Sequence, residues 1–179
     1  MDKFLACYHG TSKESAEKIL STRTYKASGS DEWLGRGVYF FENDPIQAHK
    51  FVKAYKKLSD ETVQVLFTKI CVMENMHMVD LTIDEDRNFL EEYERRIREK
   101  ITSTLSPNNI YWEHKEGYAL DFLFENRPYA LVRAAYDIPK RNRTEGFGYA
   151  QVHIQVCVKQ PSCIMKDSIR CHVAPQRGD

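Results

Sequence analysis

The stretch Phe4-Leu5-Ala6-Cys7-Tyr8-His9-Gly10-Thr11, taken with Gly35-Arg36-Gly37-Val38-Tyr39-Phe40-Phe41 further along, decides how this chain is read. The first is an apolar run ending in an imidazole and a glycine, the pattern of a strand that delivers His9 to its own end. Gly10 has no Cβ, so a ligand can approach the main chain closely there. The second is an aromatic-rich strand, Val38 to Phe41, entered through Gly35 and Gly37, which clear space beside the backbone. Joined across a glycine-bearing connection, the two read as a nucleotide pocket in which an exposed face of Tyr39 stacks on a flat ligand.

Outward from these strands, Ser12 to Leu20 reads as a helix capped by Thr11 or Ser12, with Ala16, Ile19 and Leu20 on its apolar face. Residues 21–34 are polar and read as a loop able to close over a ligand, with Trp33 either its anchor or part of the core. Pro45 opens a helix to Leu58 that sets Ala48, Phe51, Val52 and Tyr55 on one face and Lys50, Lys53, Lys56 and Lys57 on a solvated one. Val63 to Met73 is a long strand and Met78 to Leu81 a short one. Residues 84–101 form a charged helix striped by Phe89, Leu90, Tyr93, Ile97 and Ile101, acids leading and bases trailing as the helix dipole favours. Residues 106–109 read as a turn and 117–126 as a second amphipathic stretch, while 129–136 suits helix or strand equally. In the late strand Val152 to Val158, alternation puts Val152, Ile154, Val156 and Val158 on one face and His153, Gln155 and Cys157 on the other.

The His-Gly-Thr strand end, the following Gly-x-Gly-Val-Tyr-Phe, the helix Pro45-Ile46-Gln47-Ala48-His49-Lys50-Phe51 and the closing strand stand in the order of a known family. The chain resembles the ADP-ribosyltransferase superfamily, in particular the branch related to poly(ADP-ribose) polymerase catalytic domains. The resemblance is close over the first fifty-five residues, looser over 144–165, and absent from the middle. It implies an α+β fold with a split antiparallel sheet and flanking helices, spanning 1–179 as one catalytic domain. It implies NAD as co-substrate, held by His9, Gly10, Thr11, Gly37, Tyr39 and Phe51. In those roles His9 bonds an adenosine-ribose hydroxyl, the Gly10 backbone holds the nicotinamide carboxamide, Tyr39 stacks on the nicotinamide ring and Phe51 supplies its second face.

The family's third group acts on the nicotinamide ribose and the incoming nucleophile from a late strand. Two residues compete for that place, Gln155 in the strand and Glu145 in the glycine-flanked loop Thr144-Glu145-Gly146-Phe147-Gly148. An ionised Glu accepts a proton and a Gln does not, so Gln155 in the role favours single transfers over chain extension. The chemistry implied is displacement of nicotinamide from the ribose C1 through a transition state with oxocarbenium character. The leaving group is already cationic, so orientation and fixed electrostatics carry the rate. The most basic segment, Pro139-Lys140-Arg141-Asn142-Arg143, falls where relatives meet their acceptor. Arg141 and Arg143 there suit the phosphates of RNA or DNA, and Phe147 suits a stacked base or a protein target. The expectation is an NAD-dependent mono-ADP-ribosyltransferase acting on an intracellular protein or nucleic acid, analogous to small bacterial toxins or antiphage effectors and their antitoxin partners. A binding module for NAD or ADP-ribose without turnover, an RNA 2′-phosphotransferase-like enzyme and a nuclease stay open as alternatives.

Composition sets bounds. A chain of 179 residues is long enough to bury about 70% of its unfolded surface around one core. The 26 basic and 26 acidic residues balance, so no global field points to nucleic acid or to a basic partner and recognition must be local. No apolar run is long enough to span a membrane, and no leader precedes the first strand, so a cytoplasmic protein is expected. Its five cysteines lack Cys-x-x-Cys spacing and read as reduced thiols. The spacing of Cys163, Cys171 and His172 matches no zinc motif, and no metal is expected.

Overall fold

The computed structural model describes residues 1–29, 32–102, 115–138 and 152–173. They form an α+β fold with a mixed sheet of seven strands and four α-helices. The strands are β1 (Lys3–Ser12), β2 (Val38–Glu42), β3 (Val63–Val72), β4 (Val79–Asp80), β5 (Leu131–Asp137), β6 (Val152–Val158) and β7 (Arg170–Cys171). The helices are α1 (Lys13–Thr22), α2 (Pro45–Lys56), α3 (Asp84–Thr102) and α4 (Lys115–Asn126). Strand order across the sheet is β4-β5-β6-β2-β1-β3-β7. Every pairing is antiparallel except β4 with β5, which is parallel. The sheet is therefore not purely antiparallel as expected, because the two-residue β4 at its edge runs in the same direction as β5. The ambiguous 129–136 segment is strand β5, decided by a full ladder with β6 from Leu131↔Val158 to Asp137↔Val152. That tertiary pairing outweighs local pattern.

Local chemistry sets the helix ends. Ser12 accepts a hydrogen bond from the Ser15 amide at the start of α1, and Asp44 accepts one from the Gln47 amide at the start of α2, which opens on Pro45. Both helices end at residues in the left-handed conformation, Arg23 and Lys57. Each side-chain cap of this kind contributes about 1 kcal/mol.

Register assigns every strand residue to a face. On one face Leu5, Cys7, Phe40, Leu66, Ile70, Leu131 and Val156 form the main core with Ala16 and Ile19 of α1 and with Tyr25, whose phenol bonds the buried Thr68 hydroxyl at 2.5 Å. Arg133 lies at the margin of this face and bridges Glu42 at 2.5 Å and Asp80 at 3.2 Å. The opposite face is covered in two parts. Ala48 and Val52 of α2 lie over the β1–β3 half. Leu90 of α3 and Ala119, Leu120 and Leu123 of α4 pack with Val79, Val132, Ala134 and Cys157 over the other half. Between them runs a strip made of Phe41 on β2 and His153 and Gln155 on β6. Among the described residues, no helix is long and apolar enough to cross a membrane.

Candidate functional site

The strip is where the sheet opens. β1 pairs with β3 along its whole length, yet its ladder with β2 is registered only at Cys7↔Glu42 and Tyr8↔Phe41. Beyond Tyr8 the two strands part, and His9 spans the gap, its Nδ1 lying 2.8 Å from the Tyr39 carbonyl oxygen. A carbonyl only accepts, so Nδ1 carries the hydrogen and donates, leaving Nε2 as an acceptor while the ring is neutral. Burial lowers the His9 pKa and Lys56 adds to this, against the opposing bond to Tyr39, so the neutral form is the one held. Ala6 uses its carbonyl toward the β2 side, accepting from Asn43. By strand alternation the amide and carbonyl of Gly10 point to that same side, past the end of the ladder. The opening thus presents an imidazole acceptor and the N–H and C=O of Gly10.

His9 and Tyr39 do not project into one groove, as the sequence reading expected. The His9 ring packs edge-on against Tyr25 and Phe40 on the α1 face, at 5.1 and 5.7 Å. Tyr39, in register with Cys157, lies on the opposite face. The two meet only at the split, through the ring and the carbonyl. Tyr39 is also less available than expected: its hydroxyl donates to the Gly35 carbonyl at 2.8 Å and accepts from the Leu34 amide at 2.9 Å. Burial, and next the Cys157 thiol, raise its pKa far above that of an ordinary phenol.

The glycines serve packing where ligand clearance was expected. A Cβ on Gly10 would lie 2.0 Å from the Ala48 carbonyl oxygen, so its absence seats α2 on β1. Gly35, at φ +70°, faces Asp121, and a Cβ on Gly37 would meet the Cys157 sulfur at 2.4 Å. A buried clamp fixes that turn: Lys159 Nζ donates to the Leu34 carbonyl and to Asp121, each at 2.7 Å, and Asp121 accepts from the Arg36 amide at 2.9 Å. Thr11 is buried and offers the cleft no hydroxyl.

Of the other candidates, Phe51 is half exposed on α2, packed at 5.6 Å on both Phe41 and Tyr55. It therefore walls the strip from the α2 side. Gln155 is in register with Phe41 and with Ala134, on the same face as Tyr39 and Phe51. Glu145, Arg141, Arg143 and Phe147 lie outside the described residues, so the choice between Gln155 and Glu145 is not decided by placement. Trp33, expected as anchor or core, is 55% exposed and meets Tyr136 edge-on at 6.4 Å.

One residue of the strip carried no role in the sequence reading. His153 Nε2 lies 3.0 Å from Gln155 Nε2, and its ring sits between Phe41 at 5.2 Å and Tyr136 at 6.0 Å. The signal was present, since alternation sets His153 beside Gln155 on one face. The Lys159–Asp121 clamp had no such signal, because its members are far apart in the chain. A separate cavity of about 330 Å³ lies one strand over, lined by Trp33, Leu34, Leu81, Leu90, Glu91 and Tyr136 among others. It adjoins the strip through Tyr136. Among the described residues no group of three or more His, Cys, Asp or Glu is arranged to hold a metal ion. The cysteines are free thiols, with Cys7, Cys157 and Cys163 buried. Burial pushes the Cys157 thiol up to about 12, which leaves it inert at neutral pH.

An uncharacterized protein of Methanocaldococcus jannaschii is similar to this chain, 29% identical over an alignment covering 90% of this chain and 85% of the relative. No family model matches the chain. No solved structure matches it at a significant level.

Proposed function

We propose that this protein is an NAD-dependent mono-ADP-ribosyltransferase of the poly(ADP-ribose) polymerase-like type, with its cleft at the split between β1 and β2. The observation that carries the reading is the end of the β1–β2 ladder at Tyr8↔Phe41, with His9 bonded across the gap to the Tyr39 carbonyl. A dinucleotide offers ribose hydroxyls that donate and a carboxamide that both donates and accepts. The neutral His9 Nε2 and the N–H and C=O of Gly10 match these. The half-exposed Phe51 provides an aromatic wall for a planar ring on the Gln155 side.

NAD, when bound, supplies a glycosidic bond to a leaving group that is already cationic. In this reading His9 orients the adenosine end and Gly10 the carboxamide. Phe51 flanks the planar end from the α2 side, Tyr39 holds the Gly35 turn at its rim through its hydroxyl bonds, and the Gln155 carboxamide oxygen accepts from a ribose hydroxyl beside the bond that breaks. A Gln in that place positions without removing a proton, which suits a single transfer to an acceptor that is itself nucleophilic. The acceptor is a macromolecule, protein or nucleic acid, and a role as a toxin or antiphage effector with an antitoxin partner follows by analogy alone.

The test is incubation with adenine-labelled NAD and separate pools of cell protein, RNA and DNA, with free nicotinamide followed in parallel. Label on one pool together with nicotinamide release, both lost in His9→Ala and in Gln155→Ala, is the expected result. Loss in Glu145→Ala alone would move the third group to Glu145. Bound NAD without release would make the protein a binding module, and RNA cleavage without NAD would make it a nuclease.

A further inference from the structure

We propose that His153 is a positioning residue: its imidazole holds the Gln155 carboxamide with the carbonyl oxygen turned into the cleft. The inference deepens the transferase reading and rests on it for the role of Gln155. The contact is Gln155 Nε2 to His153 Nε2 at 3.0 Å. An amide nitrogen only donates, so the imidazole Nε2 is the acceptor and the neutral ring carries its hydrogen on Nδ1. That Nδ1 is buried with no hydrogen-bond partner among the described residues. Among the described residues the ring's hydrogen-bonding contact is therefore the one its Nε2 makes with Gln155.

The ring is set so that it cannot turn freely. Tyr136 of β5 lies nearly parallel to it, at 27° and 6.0 Å, and Phe41 of β2 leans on it at 5.2 Å. These residues come from the two strands flanking β6, so rotating the imidazole means displacing one of them. With one N–H of the Gln155 carboxamide given to His153, the amide plane is fixed and Oε1 stands on its other side, away from the ring. A carbonyl oxygen is what a ribose hydroxyl can donate to. The imidazolium has no acceptor nitrogen, so the arrangement needs the neutral ring, which burial favours and Asp44 opposes. Among the described residues Asp44 and the Tyr136 phenol are the titratable groups that face the ring, and burial holds the phenol neutral with its pKa pushed up to about 12.

Two variants separate this role from packing. His153→Leu keeps bulk and removes the acceptor, whereas His153→Gln returns an acceptor near the Nε2 position. For nicotinamide release from NAD, His153→Leu is expected to lower kcat about tenfold with KM for NAD within about twofold, and His153→Gln to recover most of the loss. Equal losses in the two folded variants would reduce His153 to a packing ring, and no loss in either would remove its role. Imidazole ¹⁵N NMR of the unliganded wild-type protein reads the geometry independently of turnover. An unprotonated Nε2 that becomes protonated or mixed in Gln155→Leu supports the proposal. A protonated Nε2 in the wild type overturns it even if NAD is consumed. Failure of the transferase reading would instead show as no NAD turnover by the wild type, with the NMR result still deciding the His153–Gln155 bond.

Discussion

Gly10→Ala tests whether the glycine of His-Gly-Thr serves the helix or the ligand. The added Cβ would stand 2.0 Å from the Ala48 carbonyl oxygen, 2.8 Å from its carbon and 2.9 Å from Val52 Cγ1. Two of these are backbone atoms of a packed helix, so no side-chain rotation relieves the contact. Regaining ordinary separation requires α2 to move outward by roughly 1.5 Å, lifting the buried Ala48 and Val52 from β1 and β3. Overpacking of this kind costs about 1–3 kcal/mol and sits here at the upper end, while the entropy alanine removes from the unfolded chain returns only about 0.4–1 kcal/mol. A net loss of about 2 kcal/mol lowers the melting temperature of a domain this size by about 4–8 °C. Calorimetry or thermal circular dichroism of the purified variant reads it directly. A variant melting within about 1 °C of wild type, with α2 retained, would refute the steric argument. A normal melt combined with lost NAD binding would restore the glycine to the ligand.

Lys159→Met leaves Asp121 without its buried partner and the Leu34 carbonyl without its donor, and is expected to cost about 3 kcal/mol and to speed amide exchange at residues 34–37. Unchanged exchange there would show that the clamp does not hold the turn. Tyr39→Phe removes the bond to the Gly35 carbonyl and strands the Leu34 amide, with an expected loss of about 1–3 kcal/mol in denaturant unfolding, so a loss of transfer in Tyr39→Ala must be read beside its stability. His9 and His153 both have pKa values lowered from 6.5. The unfolded chain therefore takes up these protons first. Their contribution to stability is complete above about pH 6.5 and declines as pH falls from there toward the folded values. The melting temperature is expected to drop between about pH 7 and about pH 5, less steeply in a His9→Gln, His153→Gln double variant. An equal slope in the double variant would assign the drop to other groups.

Alternation and end signals made most of the fold legible. Ser12 and Pro45 marked the starts of α1 and α2, and the apolar runs gave β2, β3 and β6 within a residue or two, whereas β1 runs on to Ser12, three residues past the His9 end that the apolar run marked. What local pattern does not carry is partnership. Residues 131–137 became a strand through pairing with β6, and the parallel β4–β5 contact depends on a topology no short window contains. The same holds at the site. His9, Tyr39 and Gln155 stood out because each follows or faces a glycine or an apolar strand. The face of the sheet each occupies depended on the cross-strand register, however, and the space that looked like room for a ligand beside the glycines is filled by Ala48, Asp121 and Cys157.

A titration of ¹⁵N-labelled protein with NAD, followed by amide shifts, bears most directly on where the dinucleotide lies. Changes concentrated at Gly10, the 38–41 strand, Phe51 and Gln155, and abolished in His9→Ala, are the expected result. Changes confined to the cavity around Trp33, Leu90 and Glu91, or none at saturating NAD, would contradict a cleft at the β1–β2 split.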